Sequence, residues 1–73
     1  MEEYEGYQIV WNDPPASQNM WDVQIGTEDY GLQNQLDKYI RQNGRFHSPV
    51  GPLDNARAAA RKYIDAILAY PVG

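Results

Sequence analysis

Trp21-Asp22-Val23-Gln24-Ile25-Gly26-Thr27-Glu28-Asp29-Tyr30-Gly31-Leu32 is the stretch on which the fold turns, because the spacing of apolar residues changes within it. Trp21, Val23 and Ile25 alternate with Asp22 and Gln24, the two-residue period of a strand with one dry face. From Thr27 the period lengthens, and Leu32, Leu36, Tyr39 and Ile40 fall on one stripe of a 3.6-residue helix. A chain that carries both periods predicts mixed strand and helix.

Upstream, residues 4–12 alternate as well, with Tyr7, Ile9 and Trp11 on one side and Gln8, Val10 and Asn12 on the other. The intervening Asp13-Pro14-Pro15-Ala16-Ser17-Gln18-Asn19 has two nitrogens that cannot donate and turn formers at both ends, so it reads as a loop. The two runs then form an antiparallel hairpin whose apolar side chains share a face. Gln8, Asn12, Asp22 and Gln24 belong on the wet face, with Val10 the exception that marks a contact surface.

Downstream, Thr27 is suited to cap the helix, Glu28 and Asp29 stand where its dipole favours anions, Lys38 and Arg41 stand near its end, and Gly44 supplies a stop. Gly31 weakens the helix by about 1 kcal/mol relative to alanine. Arg45-Phe46-His47 fits a short third strand at a sheet edge. Ser48-Pro49-Val50-Gly51-Pro52 interrupts the chain, with Pro52 placed as the first residue of a final helix and Asp54 near its first turn. In that helix Leu53, Ala56, Ala60, Ile64, Ile67 and Leu68 lie on one arc, which Pro71 ends. Ala59 and Ala66, beside Tyr63 and Tyr70, widen the arc, so the helix has room for two neighbours: the first helix, or a second copy of the chain meeting it through small residues. The sum is one α+β domain over residues 1–73, with flexible ends at about 1–3 and 71–73. Its small antiparallel sheet of two to three strands is covered on one face by two helices, in the order β-β-α-β-α.

Composition agrees with a small folded domain. The 73 residues are 42% hydrophobic and 22% charged, near the globular average, and nine aromatic rings supply large apolar surfaces to a short chain. The absence of cysteine excludes disulfides, thiolate metal sites and a cysteine nucleophile, and fits a reducing compartment. Met1-Glu2-Glu3-Tyr4-Glu5 lacks the apolar run of a secretory signal, and no stretch approaches 18 consecutive apolar residues, so the expectation is a cytoplasmic protein with no membrane partner.

Charge is divided along the sequence. Residues 1–37 hold eight acids and no Lys or Arg, formally −8, while residues 38–73 hold six cations and two acids, formally +4, giving the net −4. Arg41, Arg45, Arg57 and Arg61 are the candidate residues for binding an anion or a partner. The competing reading is internal pairing with the acidic half. Nucleic acid is the weaker expectation. Trp11, Trp21, Tyr7 and Phe46 are suited to stacking bases, but the strand tryptophans and Tyr7 alternate in phase with Ile9, Val23 and Ile25, which makes them core. The pI of about 4.6 also opposes phosphate binding.

Catalytic chemistry finds few residues to work with. A single His and two Ser leave no room for a multi-histidine zinc site, and His47 and Ser48, adjacent on an extended segment, point to opposite sides and cannot act as base and nucleophile. Glu2/Glu3 and Glu28/Asp29 read as a frayed end and a helix start rather than acid and base. The backbone N–H groups near Gly51 and Pro52, with Arg45 and Arg57, form a coherent anion site, against which Asp54 competes for the helix start. No cofactor or metal is expected.

The run Ala56-Arg57-Ala58-Ala59-Ala60-Arg61-Lys62-Tyr63-Ile64-Asp65-Ala66-Ile67-Leu68, with Trp21-Asp22-Val23-Gln24-Ile25, resembles small uncharacterised bacterial proteins in which a Trp-containing hairpin precedes an alanine- and arginine-rich helix. The hairpin-then-helix order also looks like HicB-type antitoxin domains and double-stranded RNA-binding folds, although the inserted helix and the acidic hairpin depart from both. The resemblance implies the same fold and brings no catalytic residues. The expectation is a non-enzymatic bacterial interaction module that binds a protein partner or itself, with a weak nucleic-acid or anion binder as the alternative.

Overall fold

A computed structural model of the chain describes residues 1–15 and 17–70. Three strands, β1 (Glu2–Tyr4), β2 (Tyr7–Trp11) and β3 (Val23–Gly26), precede two helices, α1 (Tyr30–Asn43) and α2 (Leu53–Ala69). The sheet is antiparallel in the order β1-β2-β3, so β2 is central and each outer strand has one edge with no strand beside it among the described residues.

The α+β class and the two-helix cover are as the sequence predicts, but the third strand is not where it was expected. Residues 45–47 form no strand, and the order is β-β-β-α-α. The extra strand is β1, joined to β2 by the two-residue turn Glu5-Gly6, both residues having positive φ (53° and 85°). Such a turn matches the twist of an antiparallel pair, and glycine at its second position adopts the required backbone without penalty. Glu2 and Glu3, expected at a frayed end, thus pair with Ile9 and Gln8.

Register assigns the faces. Glu2, Tyr4, Tyr7, Ile9, Trp11, Val23 and Ile25 share the covered side, and Glu3, Gln8, Val10 and Gln24 the open side, where Val10 is 44% exposed. Tyr7, Ile9, Val23, Leu36, Ala56, Ala60, Ile64 and Ile67 form the buried core, and both tryptophans pack against it. The alanines let α2 lie close to the sheet. Tyr7, fully buried, donates its hydroxyl proton to the Leu32 carbonyl at 2.9 Å and so ties β2 to the first turn of α1.

The helix ends differ from expectation by a few residues. Asp29, not Thr27, caps α1 by accepting from the Leu32 N–H at 3.0 Å. Thr27 instead accepts from the Asp29 N–H and donates to the Gly6 carbonyl, bracing the β1–β2 turn. Gly44 ends α1 with a φ of 92°. Pro52 precedes α2 as its cap residue. The stop expected at Pro71 and the flexible end at 71–73 lie outside the described residues. α1 meets part of the wide face of α2: Tyr39 stands edge-on to both Tyr63 and Tyr70, with ring centroids 5.1 and 5.3 Å apart.

Candidate functional site

An outer strand exposes the backbone groups of every second residue. Tyr4 and Tyr7 flank the two-residue turn as a bonded pair, so β2 directs the groups of Gln8 and Val10 toward β3, where Gly26 and Gln24 face them. Val23 and Ile25 therefore point their N–H and C=O away from the sheet. At Val23 both are occupied by one side chain: Ser48 Oγ accepts from the Val23 N–H at 2.7 Å and donates to its carbonyl at 3.2 Å. Ser48 replaces a strand partner there, which is why residues 45–47 need not form a ladder. Its hydroxyl is thereby committed to structure.

At Ile25 no such substitute exists among the described residues, and residues 45–47 make no hydrogen bond to β3. The gap is a groove of about 480 Å³, within the ~300–1,000 Å³ range of ligand clefts. Its apolar lining includes Ile25, Leu36, Ile40 and Phe46, and Asp22, Gln33, Arg45 and His47 supply polar groups. On the other side of residues 45–47 lies a second, shallower hollow of about 390 Å³, floored by Ala59 and Ala66 of α2 and walled by Tyr39, Phe46 and Tyr63, with Arg45, His47 and Lys62 around it. Tyr63 donates to the Gly44 carbonyl at 2.7 Å, fixing the wall between the two, and burial followed by the neighbouring Tyr39 raises its pKa.

The four candidate arginines are dispersed. Arg57 and Arg61 are brought together, but on Glu2: Arg57 Nε donates to Glu2 Oε1 at 2.8 Å, and Arg61 Nη1 donates to Oε2 at 3.0 Å. The bond from Arg57 is the main reason the Glu2 carboxyl is held below its ordinary value, against the opposing effect of burial, with Arg61 adding to the lowering. Arg57 also reaches Asp54 at 3.4 Å and stacks over the Trp11 ring, 5.5 Å from its centroid. Asp54 serves this pair and not a helix cap, since α2 begins with no side-chain capping bond. The anion site expected at Gly51 and Pro52 therefore loses Arg57, which is bound to carboxylates. Arg41 donates to the Asp37 carbonyl of its own helix at 3.5 Å. Arg45 alone of the four lines the groove.

Sequence reasoning picked out Arg45 as a candidate but missed the open edge at Ile25 and the place of His47 in the groove. No residue type signals it, because it depends on the path taken by residues 45–48. Among the described residues, no group of three or more His, Cys, Asp or Glu side chains is placed to hold a metal ion, and no helix is long and apolar enough to cross a membrane. No family model, curated protein or solved structure matches the chain.

Proposed function

We propose that the domain is a non-enzymatic interaction module that takes an extended segment of a partner protein into the groove beside β3. The observation that carries this reading is the outward N–H and C=O of Ile25, unpaired among the described residues and set in the wall of a 480 Å³ groove. An added strand supplies the missing backbone partners and seats every second side chain on Leu36, Ile40 and Phe46, the logic of β-strand addition. The β1 edge is a poorer template, being three residues long, two of them glutamates, and followed by Glu5.

A nucleic-acid surface built on Arg41, Arg45, Arg57 and Arg61 has less support, since two of the four are bound to Glu2 and the aromatic strand face lies under the helices. Selection of a displayed library of random dodecapeptides against the domain tests the proposal. The expected result is peptides that slow hydrogen exchange of the Ile25 amide. A selection that yields no binder, or binders that leave that amide unchanged, refutes it.

A further inference from the structure

The groove reading leaves open what kind of segment is bound, and the charges around the two hollows bear on that. Acids outnumber cations ten to six in this chain, so a cation without a carboxylate partner is not short of candidates. Arg57 and Arg61 take Glu2, and Arg57 takes Asp54 as well. Arg45 and Lys62 form no ion pair among the described residues, and both line the same hollow, with His47 beside them. Its floor is the part of α2 where Ala59 and Ala66, two turns apart on one face, carry only methyl groups beside the longer Lys62 and Tyr63. Its walls are the rings of Tyr39, Phe46 and Tyr63, which offer apolar surface to the stem of an incoming side chain while its charge stays at the exposed rim.

Arg45 and His47 also line the groove beside β3, whose other charged group, Asp22, adjoins the end of the strand that Ser48 closes. The groove is thus polarised, negative toward Val23 and positive toward residue 45. Resting on the strand-addition reading, we infer that the partner segment is acidic, with a carboxylate carried past residues 45–47 into the hollow between Arg45 and Lys62.

The probe is the tightest peptide from the dodecapeptide selection, together with its versions in which each Asp or Glu is replaced by Asn or Gln, and by Lys. Arg45 and Lys62 are exposed, so the double variant R45E/K62E should keep the circular dichroism spectrum of the parent. Acidic residues should be enriched among selected peptides. The double variant should bind the acidic probe about tenfold more weakly, from two exposed charge pairs, and should favour the Lys version instead. If selected peptides protect Ile25 but carry no acidic bias and bind R45E/K62E unchanged, the acidic partner is refuted while the groove stands. If Ile25 is never protected, the groove and the inference built on it both fall. A single-stranded RNA dodecamer that binds more tightly than any peptide and is lost in R45E/K62E overturns the inference in favour of a nucleic-acid partner.

Discussion

Replacing Ser48 by alanine removes one oxygen and with it both bonds that close the β3 edge at Val23. Those bonds are 2.7 and 3.2 Å long, and Val23 is 3% exposed, so its backbone groups do not simply return to bulk water. At about 0.5–1.5 kcal/mol net for each bond, with partial hydration of the freed carbonyl, S48A should destabilise the domain by about 1–2 kcal/mol. A 73-residue domain has a total of roughly 4–11 kcal/mol to lose, so the change is large enough to measure. With a urea slope of about 1 kcal/mol/M, the midpoint should fall by about 1–2 M. Native-state hydrogen exchange localises the effect: Val23 should lose about tenfold or more of its protection, whereas Ile25 should exchange rapidly in both proteins. The variant also lengthens the open edge from one outward residue to two, so groove-binding peptides should bind it at least as tightly as the parent. Equal exchange at Val23 in parent and variant, with an unchanged midpoint, would refute the edge-capping role and the origin assigned to the groove.

Other perturbations probe the supports of this arrangement. Y7F keeps the buried ring and removes the bond to the Leu32 carbonyl, which should cost about 1 kcal/mol in chemical denaturation. E5N places a residue that tolerates positive φ in the β1–β2 turn and should raise the melting temperature by about 4–8 °C per kcal/mol gained. Gln35 has a buried Oε1 with no donor among the described residues, and Q35M should therefore raise the urea midpoint, by up to about 1 kcal/mol in stability. The pH dependence centres on Glu2. Its carboxyl is depressed in the fold, so its contribution is complete above the ordinary value of 4.5 and disappears as pH falls from there through the lowered value; E2Q should flatten that part of a stability–pH curve.

Much of the architecture is legible in the sequence because it rests on period. β2, β3, α1 and α2 each repeat an apolar residue at the spacing of their own backbone, and burial of Ile9, Val23, Leu36 and Ile64 follows from it. β1 escapes this reading because two of its three residues are glutamates. The signal available was the pair of tyrosines bracketing Glu5-Gly6, a two-residue turn between matching side chains. Phe46 between Arg45 and His47 imitates an edge strand, and the imitation fails because a serine hydroxyl does the work of a backbone neighbour at Val23. The division of charge was visible as a count, but which cations are neutralised is decided by a strand the sequence does not announce. Once β1 lies beside α2, Glu2 takes Arg57 and Arg61, and only Arg45 among the four candidates is left facing the groove.

The clasp between Glu2 and α2 joins positions 55 and 59 residues apart, which has a bearing on how the chain reaches its fold. During synthesis the first strand emerges long before the arginines that will hold it, and until then it has only β2 as a neighbour, through a pairing too small to persist in water. Fixing β1 in place therefore waits on late, distant contacts, and truncations that remove α2 should leave the early hairpin exposed to association with other chains.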